Sequence, residues 1–151
     1  MNRASLATPI GCIGLVEHDG AIVEIDWTQG ETAPSTPLLQ RAAEQIRAYF
    51  AGELTVFDLP LSPAGGEFQQ AVMQALIAIP FGQTRTYGEI AKDLDTYGQP
   101  VGAACGANPI PIVIPCHRVL SANGLGGFSA RGGVETKIAL LKHENAYPFL
   151  V

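Results

Sequence analysis

Basic residues are scarce in this chain: nine lysines and arginines stand against fourteen acidic side chains in 151 residues, a formal net charge of −5. Nucleic-acid phosphates favour a basic partner, so the whole-chain balance argues against a strongly electrostatic nucleic-acid binder. Cysteine is scarce too. Cys12, Cys105 and Cys116 are odd in number and have no C-x-x-C spacing, which excludes a fully paired disulfide framework and a four-ligand cysteine zinc site and leaves at least one free thiol. Long apolar runs are missing: none approaches the ~20 residues of a membrane-spanning helix. The start, Met1-Asn-Arg-Ala-Ser, lacks the hydrophobic stretch of a secretory signal. A cytoplasmic protein with no membrane association is expected. Internal repeats and low-complexity tracts are absent as well.

What is present is a globular composition, 47% hydrophobic and 15% charged, enough to build one or two small cores. The charge is unevenly divided. Residues 1–66 hold Arg3, Arg41 and Arg47 against eight carboxylates, which accounts for the whole excess, while residues 67–151 balance six against six. Beyond Cys116 the sign turns positive, with Arg118, Arg131, Lys137 and Lys142 against Glu135 and Glu144. An acidic N-terminal module and a neutral second module with a local basic face are expected.

In the first module, residues 10–16 and 21–27 read as a hairpin around His18-Asp19-Gly20, because Val23, Ile25 and Trp27 alternate with Glu24 and Asp26. Leu38, Ala42, Ile46 and Tyr49 or Phe50 then recur at helical spacing, with Thr36 as cap, Pro37 at the first helical position and Gly52 as a stop. Residues 55–61 are expected to return as a third strand, and residues 61–66, Leu-Ser-Pro-Ala-Gly-Gly, to be the linker. The boundaries that follow are 1–62 for an α/β module and 67–151 for a mainly helical one. In the latter, Phe68, Val72, Ala75, Leu76 and Ile79 form an apolar stripe ending at Pro80. Thr86 and Glu89 form a capping box with Tyr87 in the first turn of a short helix. A second short helix from Pro100 to about Ala107 follows a Gly-containing break, and together the two make a helix-turn-helix candidate. Val134, Ile138 and Leu141 are the expected buried stripe of a last helix ending near His143-Glu144.

The chemistry is expected at Ile110-Pro-Ile-Val-Ile-Pro-Cys-His-Arg-Val119. Pro111 and Pro115 bias their neighbours toward extended geometry, so residues 112–114 read as a buried extended segment with Cys116 at its rigid end. A thiol near its free pKa of about 8.5 needs a base or a cation to populate thiolate, and His117 and Arg118 are candidates. Adjacent side chains of an extended segment face opposite ways, so His117 reaches the sulfur through a turn or a water. Taken alone, a Cys-His dipeptide reads better as a half-buried structural cysteine beside a surface His-Arg pair.

Pro115-Cys-His-Arg-Val119 resembles the active-site signature of the O6-alkylguanine-DNA alkyltransferases. Asn108-Pro109, Phe68-Gln69, Ile79-Pro-Phe-Gly-Gln83, Thr86-Tyr-Gly-Glu-Ile-Ala91, Val101-Gly-Ala103, Gly132-Gly133, Lys137 and Leu140-Leu141 match in order around it. The resemblance implies a ribonuclease H-like small sheet plus helix for the first module and a winged-helix-like second module with a helix-turn-helix. It implies repair of double-stranded DNA containing O6-alkylguanine, or O4-alkylthymine, by a monomer without cofactor; the zinc-binding cysteine and histidine set of some members is not matched here, so no metal is expected. Cys116 would take the alkyl group once and keep it, after the base has left the stack. His117 would act through water as base, oriented by Glu144, and the pair would let the thiol ionise at lower pH than a free cysteine. Tyr87 would bond the purine and help protonate it as it leaves. Asn108 would support the turn, while Arg118, Val119, Phe128 and Ser129, with Gln99, Val101, Gly102 and Ala103 on the second short helix, would contact substrate and DNA. Gln99 stands where the family usually carries an arginine that fills the space of the extruded base, and Met73 replaces a common tryptophan. A binding-only relative and a Cys-His-Glu thiol hydrolase are the other readings of the same residues; the first would lack a reactive cysteine, the second would carry an oxyanion-hole pattern.

Overall fold

The computed structural model describes residues 1–128 and 132–147, so Ser129 and Arg131 lie outside the described residues. The chain divides into two compact units, Met1–Ala64 and Gly65–Val151.

In the first unit β1 (Asn2–Thr8), β2 (Gly11–His18) and β3 (Ala21–Trp27) form an antiparallel meander in that order. The β2–β3 turn carries Asp19 and Gly20 through φ of 49° and 76°, the two-residue geometry whose twist matches its strands. Helix α1 (Pro37–Phe50) starts where the Thr36 hydroxyl accepts from the Leu39 N–H at 3.1 Å, and Gly52 beyond its end takes φ 77°. Its Leu39, Ala42, Ala43, Ile46 and Tyr49 are buried, as are Ala4, Leu6, Ile13 and Leu15 of the β1 and β2 strands it packs on.

The third strand is not the expected one. Residues 55–61 form no strand, and only Leu61 bridges to Ile22. Gln45 takes both backbone groups of Asp58, accepting its N–H at 2.9 Å and donating to its carbonyl at 3.0 Å, so the groups a sheet neighbour would need are already used. The strand beside β2 is instead β1, whose buried residues Ala4, Ser5 and Leu6 are consecutive and mostly small, and so carry no alternating signal.

The second unit is helical. Helix α2 (Glu67–Ile77) buries Val72, Met73 and Leu76, while Phe68 remains 40% exposed. A two-residue strand, β4 (Arg85–Thr86), leads into α3 (Tyr87–Asp93), where the capping box is complete: Thr86 Oγ1 accepts from Glu89 N–H at 3.1 Å and Glu89 Oε1 from Thr86 N–H at 2.8 Å. Helix α4 (Gly98–Gly106) packs on α2 and α3. It begins two residues ahead of Pro100, because first-turn N–H groups lack intrahelical partners and a proline there breaks no bond. After a 3₁₀ turn at Cys116–Arg118, β5 (Val119–Leu120) pairs in parallel with β4, Arg85 beside Val119 and Thr86 beside Leu120, which sets the start of α3 next to that turn. The last helix, α5 (Gly133–His143), buries Thr136, Lys137, Leu140 and Leu141. Val134 is exposed and Ile138 half-buried, so the helix is rotated from the expected stripe and presents a lysine to the interior.

Candidate active site

Residues 110–114 are buried but not extended. Asn108 accepts from the Ile110 N–H at 3.0 Å and donates its side-chain amide to the Ile114 carbonyl at 2.8 Å, while Ile114 N–H reaches the Ile110 carbonyl at 2.9 Å. These bonds close a turn that forces Ile112 to φ 75°, a costly conformation for a β-branched residue that tertiary packing must hold. The Cys116 N–H then bonds the Ile114 carbonyl across Pro115 at 2.8 Å, and Arg118 N–H bonds Pro115 at 3.0 Å. With about three residues per 3₁₀ turn, successive side chains leave it in different directions. Cys116 faces a cavity; His117 and Arg118 face the interior.

There they meet Glu144, the residue that caps α5 and is 1% exposed. Arg118 donates Nε to Oε1 at 2.7 Å and Nη2 to Oε2 at 3.0 Å, and its Nη1 donates to the Ile79 carbonyl at 2.7 Å. His117 Nε2 lies 2.7 Å from Glu144 Oε2. Burial lowers the imidazole pKa, against the pull of the carboxylate, so the neutral ring donates Nε2–H and keeps Nδ1 as an acceptor. Nδ1 is buried and has no hydrogen-bond partner in the protein.

A second buried charge stands on the other side of the turn. The Lys137 ammonium, fully buried, donates to the carbonyls of Val119 at 2.6 Å, Leu125 at 2.5 Å and Gly127 at 3.1 Å, and lies 5.7 Å from the Tyr87 ring centre. Desolvation pushes its pKa down to about 8, although Cys116 and Cys105 oppose that shift. It ties the end of the Cys-His-Arg turn to the loop that walls the cavity.

The cavity has a volume of about 530 Å³ and is lined by Tyr87, Gln99, Gly102, Cys105, Gly106, Cys116, Gly127 and Phe128. Tyr87 enters a slot made by glycines: a Cβ on Gly126, already at φ 73°, would come within 2.9 Å of the ring, and one on Gly98 within 3.7 Å of its Cβ. Burial raises the phenol to about 12, so it is a donor at neutral pH. Burial also raises Cys116, more than the hydrogen bond from Asn108 and the charge of Lys137 lower it. Burial thus works against the low-pH thiolate expected of the His117–Glu144 pair and favours a protonated thiol in the resting site.

Cys116, Tyr87, Gln99, Gly102 and Phe128 thus share the cavity, with His117 and Glu144 behind it and Asn108 beneath. Arg118 and Val101, expected to face DNA or substrate, are turned inward: the first satisfies Glu144, the second fills the α4 core. Val119 is buried in β5 and presents its carbonyl to Lys137, and Ala103 lies exposed on α4. With Arg118 and Lys137 both buried, the basic face expected after Cys116 loses two of its charges. The burial of Lys137 and the place of Cys105 were not foreseen. Among the described residues no three histidine, cysteine or acidic side chains are grouped to hold a metal.

A thiol at the end of a cavity, backed by an imidazole that a carboxylate orients, is the equipment of a group-transfer protein with a cysteine acceptor. Comparison with known proteins bears on which. The family model described as the DNA-binding domain of 6-O-methylguanine DNA methyltransferase matches residues 67–146, and the one described as its ribonuclease-like domain matches residues 1–63. The chain belongs to the 6-O-methylguanine DNA methyltransferase family. It is 42% identical over 152 residues to the methylated-DNA--protein-cysteine methyltransferase of Mycobacterium bovis, covering 94% of this chain and 91% of the relative. To that of Methanosarcina acetivorans it is 41% identical over 157 residues, covering 97% and 99%. Among solved structures, that of Mycobacterium tuberculosis OGT in complex with DNA superposes with a TM-score of 0.86 at 39% identity, covering 97% of this chain and 94% of that one.

Proposed function

We propose that this protein repairs DNA by moving an alkyl group, methyl in the simplest case, from O6 of guanine to Cys116 in one irreversible step. The observation that carries this reading is the position of Cys116 at the cavity wall with the buried His117–Glu144–Arg118 cluster directly behind it. A base held in a duplex cannot reach a sulfur so nearly buried, so the nucleotide leaves the stack and enters the cavity. The Cys116 proton passes through water to His117 Nδ1, and Glu144 and Arg118 hold the ring for it. Sulfur attacks the alkyl carbon, the carbon–O6 bond breaks, and its electron pair stays with guanine, whose protonation the Tyr87 phenol supports. Because the resting thiol is protonated, this step is coupled to substrate entry rather than prepared in advance. A thioether is not released by water, so each chain acts once.

The partner is double-stranded DNA. The α3–α4 pair is the docking element, with Gly102 and Ala103 allowing close approach on α4 and Gln99 at the cavity rim. The protein works as a monomer in the cytoplasm; no described helix is long and apolar enough to cross a membrane. Intact-mass measurement after mixing with duplex DNA containing O6-methylguanine tests the reading. One methyl group per chain on Cys116, none on Cys12 or Cys105, and no gain in Cys116→Ala are expected. Turnover beyond one equivalent, or activity surviving in that variant, would sink it.

A further inference from the structure

The transfer step leaves Cys105 unused. This thiol is buried near the end of α4 and lines the same cavity as Cys116. Asn108 fastens the two segments together: its N–H donates to the Cys105 carbonyl at 3.2 Å, and its side chain donates to the Ile114 carbonyl, two residues before Cys116, at 2.8 Å. The Tyr87 ring lines the same cavity beside the two sulfurs, and the Lys137 ammonium lies 5.7 Å from its centre. Cys12 stands apart in the first unit, bonded to the Gly30 carbonyl.

We infer that Cys105 and Cys116 together form a dithiol site for trivalent arsenicals, in which one arsenic atom bridges both sulfurs at the cavity wall. This proposal does not depend on the transfer activity. The chemical class follows from two thiols lining one cavity, a pair that a soft two-coordinating centre can join; burial pushes Cys105 up to about 12 and raises Cys116, which keeps both protonated at neutral pH. Electrophiles that require thiolate are disfavoured there. An arsenoxide supplies its own base. Its oxygen takes the two thiol protons and leaves as water, the arsenic–oxygen bond is replaced by two arsenic–sulfur bonds, and arsenic stays trivalent, so no oxidant or reductant is needed. The product is uncharged, as a buried wall requires, and an aryl substituent on arsenic would have Tyr87 and Phe128 beside it. A second thiol held in place acts at high effective concentration, so the bridge resists monothiols and yields to dithiols.

The test uses phenylarsine oxide on the Cys12→Ser chain, followed by intact-mass measurement in excess glutathione. One phenylarsenic group per chain is expected, at the mass of the added arsenoxide less one water, which a bridge to both sulfurs gives and a one-sulfur hydroxide adduct does not, with release by 2,3-dimercaptopropanol. Tryptic mapping of the wild-type chain should place the adduct on the single segment 93–118, which holds both cysteines and no internal lysine or arginine; this readout does not rely on any variant folding. Cys105→Ser should release the group to glutathione roughly a hundredfold faster. The inference is overturned if no glutathione-resistant adduct forms, if it persists equally in Cys105→Ser, or if one of the two thiols stays free in it.

Discussion

Two fully buried charges flank the Cys116 turn, and they are satisfied in opposite ways. Glu144 is met by charged and polar side chains, Arg118 through two bonds and His117 through a third, whereas Lys137 is met by three neutral carbonyls. A charge answered by an opposite charge is fixed in place, and removing one partner strands the other. A charge answered by dipoles holds the backbone equally well but has no opposite charge to offset its desolvation, and burial pushes the Lys137 pKa down to about 8. One wall keeps its charge so that the base stays oriented. The other shapes the loop while remaining electrically adjustable next to the thiol.

The comparison is broken most severely from the Glu144 side. Glu144→Ala leaves the Arg118 guanidinium buried with the Ile79 carbonyl and no carboxylate, and should destabilise the fold by about 3–5 kcal/mol, read by denaturant unfolding. A loss under 1 kcal/mol would mean that the cluster is wetter than its burial implies. Lys137→Met should cost less, about 1–3 kcal/mol for carbonyls left without a donor, because methionine removes the buried charge along with its bonds. The same variant should move the pH profile of iodoacetamide labelling at Cys116 upward, since Lys137 favours the thiolate; an unmoved profile would deny the electrical half of its role. The smallest effect is the pH dependence of stability. Lys137 binds its proton more weakly folded, at about 8, than unfolded, near 10.5, so the unfolded chain holds more protons in that interval and stability rises with pH. Cys105 works the other way: its folded value of about 12 lies above its unfolded 9, so stability falls above pH 9. Wild type should therefore gain about 1 kcal/mol between pH 8 and 9, stay level up to about 10.5 where the two slopes cancel, and lose stability above it, while Lys137→Met should fall from pH 9 without any rise.

What was legible in the sequence is what local chemistry determines. Thr36 and Pro37, the Thr86–Glu89 box and the alternation around β3 place α1, α3 and the hairpin, because each signal and its partner lie within a few residues. Cys116 and His117 stand out at the end of a proline-flanked apolar run, Tyr87 and Asn108 through a resemblance spread over the second unit, and the geometry brings them together. Elsewhere distant contacts prevailed. Residues 112–114 have the composition of a strand, yet Asn108 and the Ile110 carbonyl bend them into a turn. Lys137 and Arg118 look like surface cations, since most lysines and arginines are, and the partners that draw them inside are carbonyls and one carboxylate far along the chain. A backbone carbonyl has no letter in a sequence. No pattern could have announced it.

The bond between His117 and Glu144 spans 27 residues, and that between Arg118 and Glu144 spans 26. The proposed nucleophile, Cys116, and its proposed base, His117, are therefore written early in a segment whose carboxylate partner comes last, at the cap of α5. During synthesis the thiol exists before the imidazole behind it is held in any fixed direction, and only the docking of α5 completes the set. A chain interrupted before residue 144 would still display Cys116, but as an ordinary sulfhydryl. Competence is thus acquired at one late moment of folding, which links the quality of the finished chain to its fitness for a reaction it can perform only once.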